Sequence, residues 1–345
     1  MKGVILVENS FVHPYMPNSV PENKKAMLDE LGINSVEDIF KSIIPDELLY
    51  KERLDIPEPI RSEYELKRHV MGILNRDIAT EEYTSFLGAG CYKHQVPAIC
   101  DEINSRGEFL TAYCGDTYSD HGKMQAIFEY TSMMGELLDT DVVSYTTYDG
   151  GQAVASSLRM AVRAVREKGM DGKVILVPKT MNPEIYSQVV QYCRNVAEVR
   201  KIAYEPETGL IDLEELKEQL AKKNVAAVFF ENPTYLGNFE TRGEEIAKLA
   251  HDAGAYCVVQ TEVAALGIME SPVNQGADIV CGDIQPLGMH IQFGGGQAGF
   301  IACNQNMDLV EQFPTYMYGI TETEKEDTYG WGRAMNYRSS HGSRE

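Results

Sequence analysis

The segment Tyr148-Asp149-Gly150-Gly151 is the first candidate for chemistry in this sequence. It joins an apolar run, Val142–Tyr145, to the stretch Gly151–Lys168, which carries its apolar residues on one helical face. The segment would therefore open a helix whose first backbone N–H groups are free, and such a helix start can hold a phosphate group. A turn that needs glycine only for its geometry explains the segment equally well. The sequence leaves both interpretations open.

Other motifs exclude several classes of enzyme. Gly294–Gly299 satisfies G-x-G-x-x-G, but the strand-like Phe300–Cys303 follows it where a dinucleotide fold needs a helix. The motif is more typical of a glycine-rich turn at which two backbones approach closely. No phosphate-binding G-x-x-x-x-G-K-[ST] loop and no G-x-S-x-G nucleophile elbow is present. The seven histidines lack metal-ligand spacing, and a structural or solvent-facing role is favoured even for His94 and His121, which lie in loop-like segments.

Composition limits the possible partners and compartment. The chain has 345 residues and a formal net charge of −21, so binding to nucleic acid is not expected. No apolar stretch approaches the roughly 18 residues of a membrane span, and Met1–Pro14 lacks the features of a signal peptide. The seven cysteines include no C-x-x-C pair. We predict a cytoplasmic protein without membrane contact, with reduced thiols in the core at Cys193, Cys257, Cys281 and Cys303.

The first 80 residues form a helical but polar region. Apolar residues recur at three- and four-residue spacing in Pro21–Leu31, Ser35–Ser42 and Glu63–Arg76, and proline-containing links separate these stretches. The apolar content is too low for a free-standing domain. We therefore predict that residues 1–80 form a helical N-terminal arm that packs against another protein.

Short strands and helices alternate from about Asp141 to Cys303, which predicts an α/β fold with a mostly parallel sheet and helices on both faces. Asp212 and Glu215 form a predicted capping box at a helix start. We expect residues 81–305 to form a large α/β domain and 306–345 to begin a smaller one. The predicted strands are Lys173–Pro178, Ala197–Tyr204, Val225–Phe230, Ala255–Val259 and Asp278–Cys281; the predicted helices are Gly151–Lys168, Asn182–Arg194, Leu213–Lys222 and Gly243–Ala253.

An ordered set of segments resembles the glycine cleavage system P-protein, and specifically the first subunit of its two-subunit form. The segments span the chain: His13–Ser19, Tyr83–Tyr92, Val96-Pro97, Ser105–Phe109, Thr111–Tyr113, Gln125–Glu136, Asp141-Val142, Tyr148–Gly150, Glu231–Pro233 and Gly276–Val280. The resemblance implies a fold type I pyridoxal-phosphate transferase architecture. It also implies decarboxylation of glycine and transfer of the aminomethyl group to the lipoyl arm of the H-protein.

This chemistry needs a lysine amine to form a Schiff base with the cofactor, and a carboxylate beside the pyridine nitrogen. In the family's catalytic subunit the lysine follows, by about eight residues, an aspartate on the strand that matches Ala277–Cys281. The same count from Asp278 reaches Pro286, and no lysine lies between Lys248 and Lys325. The family's first subunit also lacks this lysine. The resemblance therefore implies no catalytic residue here, with pyridoxal phosphate held by the partner subunit.

A vestigial cofactor pocket would be lined by Tyr148, Asp149, Gly150 and Glu262. Glu262 stands where the family's first subunit usually has aspartate, so it is either a remnant of the pyridine partner or a simple surface carboxylate. Tyr113 and His121 are the candidates for contact with substrate or partner. All of these residues could equally serve subunit packing.

The sequence departs from the family pattern in two places. The loop Cys114–Gly122 replaces the usual Pro-Tyr-Gln-Pro-Glu, and family members continue beyond the residue at which this sequence ends. We predict a non-lysine subunit of glycine dehydrogenase that assembles, as a heterotetramer, with a lysine-bearing second subunit and serves the lipoyl H-protein. The alternative is a scaffold or binding homologue that has left the glycine pathway. An independent pyridoxal-phosphate enzyme is disfavoured by the missing lysine.

Overall fold

The computed structural model describes residues 12–50, 52, 54–78, 82–84, 86, 93–110, 122–291 and 297–334. The predicted contact residues Tyr113 and His121, and most of the loop Cys114–Gly122, lie outside these ranges. The chain divides into two compact units, residues 1–79 and 80–345. The predicted boundary at residue 305 stays a prediction.

The first unit contains three helices, α1 (Pro21–Leu31), α2 (Glu37–Ile43) and α3 (Glu63–Leu74), close to the predicted ranges. Helix α1 ends at Gly32, whose φ of 67° is the left-handed conformation that glycine adopts without strain. The Ser62 side chain caps α3. None of these three helices has a buried residue. Their apolar side chains therefore remain available to pack against another surface.

The second unit is built around a seven-stranded sheet. In chain order its strands are β1 (Val142–Val143), β2 (Val174–Pro178), β3 (Glu198–Ile202), β4 (Val225–Asn232), β5 (Tyr256–Thr261), β6 (Ile279–Asp283) and β7 (Gly299–Cys303). Across the sheet the order is β1-β7-β6-β5-β4-β2-β3. Strands β2 to β6 are parallel, whereas β7 is antiparallel to β6 and to β1. The predicted mostly parallel sheet is confirmed.

Seven helices and a hairpin complete the described part of this unit. The helices are α4 (Ala98–Asn104), α5 (Gly122–Leu138), α6 (Gly150–Glu167), α7 (Pro183–Cys193), α8 (Leu213–Leu220), α9 (Gly243–Asp252) and α10 (Met307–Val310); the hairpin strands are β8 (Met317–Glu322) and β9 (Tyr329–Ala334). Trp331 of β9 stacks on Phe128 of α5, with ring centroids 5.6 Å apart. The hairpin is thereby attached to α5.

Hydrophobic cores lie on both faces of the sheet. On one face α6 and α7 contribute Leu158 and Val189 to a core that includes Phe229 of β4. On the other face α8 and α9 contribute Leu216 and Ile246. These side chains are fully buried, and each stabilises the fold by roughly 1.5–3 kcal/mol. The predicted core cysteines are free thiols and fully buried: Cys193, Cys257, Cys281 and Cys303.

The predicted capping box at the start of α8 is half correct. The Asp212 carboxylate accepts hydrogen bonds from the backbone N–H groups of Glu214 and Glu215, both at 3.0 Å. The Glu215 carboxylate does not complete the box. It accepts instead from the backbone N–H of Ala203, at 2.6 Å, and so ties α8 to the end of β3.

The carboxyl ends of β4, β5 and β6 meet at one edge of the sheet, because the three strands are parallel neighbours. The chain order reverses direction across the sheet between β2 and β4. In open α/β sheets, ligands bind in the crevice outside the carboxyl ends of the strands near such a reversal. The fold therefore places the residues that follow β4, β5 and β6 where a site is expected.

Candidate functional site

Three carboxyl groups follow three neighbouring strands at this edge. Glu231 lies near the end of β4, Glu262 directly follows β5, and Asp283 ends β6. They line a cavity of about 60 Å³ together with Asn182, Pro233, Thr234, Tyr235, Gln260 and Thr261. A cavity of this size holds a few water molecules. None of these lining residues carries a positive charge.

Glu231 is the most deeply buried of the three, with 5% of its surface exposed. Its two carboxyl oxygens lie 3.1 and 3.2 Å from the backbone N of Asn182, which donates to them. Burial raises the pKa of Glu231 to about 7, although the backbone N–H groups of Asn182 and Tyr235 favour the charged form. Glu231 thus links the end of β4 to the N-cap of α7, and its carboxyl group is mostly protonated below about pH 7.

A Glu231→Gln variant is expected to lose much of the pH dependence of folding between pH 4.5 and 7. In this window the folded chain keeps a proton on Glu231 that the unfolded chain has released, since the carboxyl pKa rises from 4.5 to about 7 on folding. Stability from this group is complete below pH 4.5 and falls as the pH rises through 7. The loss amounts to roughly 3 kcal/mol, because one pKa unit corresponds to about 1.4 kcal/mol. Urea unfolding at a series of pH values measures it.

The exposed Glu214→Gln variant on α8 is the control for removing one carboxylate. Its unfolding free energy should follow the wild-type pH curve. Parallel pH curves for wild type and Glu231→Gln would show that the Glu231 carboxyl titrates as it does in the unfolded chain.

Glu262 begins the short 3₁₀ helix Val263–Gly267 and is half-buried. Its carboxylate accepts from the backbone N–H of Ala264, at 3.3 Å. Burial raises the pKa of Glu262, and the nearby charge of Asp283 raises it further. This position, after a central strand and in the crevice, suits a group that faces a ligand, whereas the N-cap contact suits a structural role.

Asp283 contacts the start of α6. Its Oδ2 accepts a hydrogen bond from the backbone N–H of Gly150 at 3.0 Å, and its Oδ1 accepts from Gln285 N–H at 2.7 Å. Asp149 is the N-cap of α6 and accepts from Gln152 N–H at 2.6 Å. Burial raises the pKa of Asp283, and the Asp149 charge adds to this shift. Two donors of the helix start, the N–H groups of Gly150 and Gln152, are therefore engaged by carboxylates of the chain itself.

Glycine is required at the start of α6 for a steric reason. A Cβ at Gly150 would lie 3.0 Å from the Asp283 Cβ, and one at Gly151 would lie 2.5 Å from Oε1 of Gln188. Both contacts are too close for a larger residue without movement of the neighbours. The close approach of α6 to the β6 backbone therefore explains Gly150 independently of any bound phosphate, whereas the flexible end of the Gln188 side chain could move away from a Cβ at position 151.

The remaining sequence candidates have different environments. The Tyr148 side chain is 87% exposed, and its backbone N–H donates to Oε1 of Gln152 at 2.8 Å. Pro286 lies in the 3₁₀ turn Gln285–Leu287 directly after β6, at the exit where the family's lysine is expected. Of the sequence candidates, Glu262 lines the cavity, and Gly150 is joined to it through the hydrogen bond to Asp283. Tyr148, Asp149 and Pro286 are not among the described lining residues.

Gly299 fixes the position of Asp149. A Cβ built on Gly299 would lie 2.3 Å from the carbonyl oxygen of Asp149 and 2.4 Å from Oγ1 of Thr147. The backbones of Gly299 and Thr147 exchange hydrogen bonds of 2.9 and 3.1 Å. The predicted close approach of two backbones is confirmed at this glycine, and a strand, β7, begins there in place of a helix. Gly294–Gly296 of the motif lie outside the described residues.

Pyridoxal phosphate, which the fold family implies, does not fit the described residues of this crevice. The cavity is far smaller than the roughly 300 Å³ of ordinary ligand sites. Gly150 N–H, which could otherwise bind a phosphate, contacts Asp283. The lining supplies three carboxyl groups and no amine. The buried Oε1 of Gln260 has no hydrogen-bond partner among the described residues, and a water molecule in the cavity could donate to it.

Other kinds of site find little support in the described ranges. No group of three or more His, Cys, Asp or Glu side chains there is placed to hold a metal ion. His94 is half-buried, and burial lowers its pKa, which keeps the ring neutral. Within the same ranges, no helix is long and apolar enough to cross a membrane.

The sequence analysis does not predict Glu231 or Asp283 as site residues. A signal for both exists in the sequence, because each ends an apolar run that forms a buried parallel strand, as Thr261-Glu262 does after β5. Carboxylates at the ends of successive parallel strands meet at one sheet edge. The order of the strands, which decides that β4, β5 and β6 are neighbours, is not visible in the sequence.

Solved structures share this architecture. The crystal structure of an inhibitor-bound glycine decarboxylase (P-protein) of the glycine cleavage system superposes with a TM-score of 0.78 at 30% identity, over 97% of this chain and 72% of that one. A sphingosine-1-phosphate lyase from Burkholderia pseudomallei, at 14% identity and a TM-score of 0.55, shares the fold alone, over 81% of this chain and 66% of that one. The architecture is that of the fold type I pyridoxal-phosphate-dependent enzymes.

The sequence defines the family more closely. The glycine cleavage system P-protein family model matches residues 13–345, and the chain belongs to this family. It is 36% identical to a probable glycine dehydrogenase (decarboxylating) subunit 1 of Staphylothermus marinus over 90% of this chain, and 37% identical to that of Carboxydothermus hydrogenoformans over 96%. The chain spans 66% and 72% of the lengths of these two relatives.

Proposed function

We propose that this chain is the non-lysine subunit of a two-subunit glycine dehydrogenase (decarboxylating). A second subunit would hold pyridoxal phosphate on its own lysine and decarboxylate glycine, and the lipoyl H-protein would accept the aminomethyl group. The observation that carries the proposal is the exit of β6, where Gln285-Pro286-Leu287 stands in place of a lysine within the fold of a family that uses one.

Chemistry supports this assignment. A Schiff base needs an amine, and the described residues around the cavity supply carboxyl groups instead. The raised pKa values of Glu231, Glu262 and Asp283 show that the crevice resists further negative charge. A cofactor that carries a phosphate and a substrate that carries a carboxylate would both meet that resistance. The chemistry is therefore assigned to the partner.

The first unit supports a subunit role. Helix α3 exposes Leu66, Val70 and Leu74, which are spaced four residues apart and therefore lie on one helical face. More than 40% of each of these side chains is accessible to solvent. A stripe of this kind is typical of a helix that binds an apolar groove of a partner. We assign this stripe to contact with the second subunit.

The proposal is tested by mixing the purified chain with a lysine-bearing second subunit and H-protein and measuring carbon dioxide released from labelled glycine. The chain alone is expected to release none, because it has no lysine at the exit of β6 to hold the cofactor. The mixture is expected to be active, and the two subunits should elute together in gel filtration. Replacing Leu66, Val70 and Leu74 together with serine is expected to weaken the complex by about 100-fold.

A matched variant with serine at Glu65, Lys67 and His69 changes three exposed residues of the same helix. It should assemble like the wild type, which separates loss of contact from loss of helix stability. Normal assembly of the Leu66/Val70/Leu74 variant would show that this face of α3 does not contact the second subunit. Absence of both binding and activity in the wild-type mixture would contradict the proposed function and favour a scaffold that has left the glycine pathway.

A further inference from the structure

The start of α6 is filled by a side chain from a distant part of the sequence. Oδ2 of Asp283 lies 3.0 Å from the backbone N of Gly150, although 133 residues separate the two. Its second oxygen, Oδ1, accepts from Gln285 N–H at 2.7 Å. One carboxylate therefore connects the end of β6, the turn after it and the start of an 18-residue helix.

Little room remains for another anion at this place. The Asp283 Cβ and backbone N lie only 3.0 and 3.1 Å from where a Cβ of Gly150 would stand. A second donor of the helix start, the N–H of Gln152, is taken by Asp149 at 2.6 Å. Among the first helical N–H groups, which have no partner inside the helix, these two are thus satisfied by the chain's own carboxylates.

The electrostatics of the helix start explain why a carboxylate is favourable there. The N-terminus of a helix carries a partial positive charge and attracts anions, phosphate groups included. Asp283 supplies the negative charge from within the chain. Burial raises the pKa values of Asp283 and Glu262; the charge of Asp149 raises that of Asp283 further, and the charge of Asp283 raises that of Glu262. A phosphate would have to displace one carboxylate and tolerate the others.

We propose that the Asp283 carboxylate occupies the position at the start of α6 that the phosphate of a ligand would need. It thereby prevents phosphorylated cofactors from binding in the crevice of this chain. The proposal concerns this chain alone. It does not depend on glycine, H-protein or the second subunit, so its failure would be distinguishable from failure of the proposed function.

The test measures the binding of inorganic phosphate to the wild type and to Asp283→Ala. Thermal unfolding and titration calorimetry report the binding, and chloride at equal ionic strength is the reference. Phosphate is expected to raise the Tm of Asp283→Ala and to bind it about tenfold more tightly than it binds the wild type. Asp278→Ala is the matched control. Asp278 stands at the other end of β6 and contacts Cys257 N and His251 at 2.7 and 2.8 Å, so its removal exposes no helix start.

Two further variants keep the test decisive. Asp283→Ser shortens the side chain and should gain phosphate binding, even where the alanine variant fails to fold. Asp283→Asn retains an oxygen that accepts from Gly150 N–H, so phosphate should leave its Tm unchanged. Phosphate binding by the wild type as tight as by the Ala and Ser variants, or no phosphate effect on either of these two variants, would overturn the proposal. Direct titration of the wild type with pyridoxal phosphate gives a second check, and saturable binding at the α6 start would also overturn it.

Discussion

A Gly299→Ala variant is expected to be destabilised by about 3 kcal/mol or more. The new Cβ would lie 2.3 Å from the Asp149 carbonyl oxygen and 2.4 Å from Oγ1 of Thr147. Both neighbours are fixed, because Thr147 Oγ1 donates to the Asp149 oxygen at 2.8 Å and Thr147 pairs with β7 through its backbone. The segment that carries the N-cap of α6 would therefore have to move.

Urea unfolding of Gly299→Ala beside Gly319→Ala measures this effect. Gly319 also lies in a strand, β8, but nothing stands within 4 Å of where its Cβ would be. Alanine there should change the unfolding free energy by no more than about 0.5 kcal/mol. Equal unfolding free energies of the two variants would show that β7 and the Asp149 segment can move apart without loss of stability.

Much of the second unit could be predicted from the sequence, because its strands are continuous apolar runs and its helices are amphipathic. Strand β2 is buried at every position, as its run of apolar residues predicted, and α6 buries the predicted face. The direction of β7 could not be predicted. An apolar run does not indicate which neighbour it pairs with, and the antiparallel pairing of β7 with β6 depends on the path of the connecting chain.

The candidate site was predictable only in part. The position of Pro286 follows from counting along a recognised strand, and the start of α6 follows from a turn before an amphipathic run. The contact between Asp283 and Gly150 joins positions far apart in sequence, and no local pattern specifies it. The deep burial of Glu231 likewise depends on the packing of the β2 and β4 ends. These two carboxylates determine the electrostatics of the crevice, and they required the fold to be known.

We propose that the second subunit carries out the cofactor's chemistry and that this chain does not bind the cofactor covalently. The gap at Gln285-Pro286-Leu287 and the filled start of α6 both point to this division. In an assembled complex, we therefore expect all of the covalently bound cofactor on the second subunit and none on this chain.

The most direct test is reduction of the assembled, cofactor-loaded complex with borohydride, which converts a Schiff base into a stable amine, followed by mass spectrometry of each separated subunit. The mass of the reduced cofactor is expected on one lysine peptide of the second subunit. Every lysine peptide of this chain should keep its unmodified mass. The reduced cofactor on a lysine of this chain, with none on the second subunit, would contradict the account.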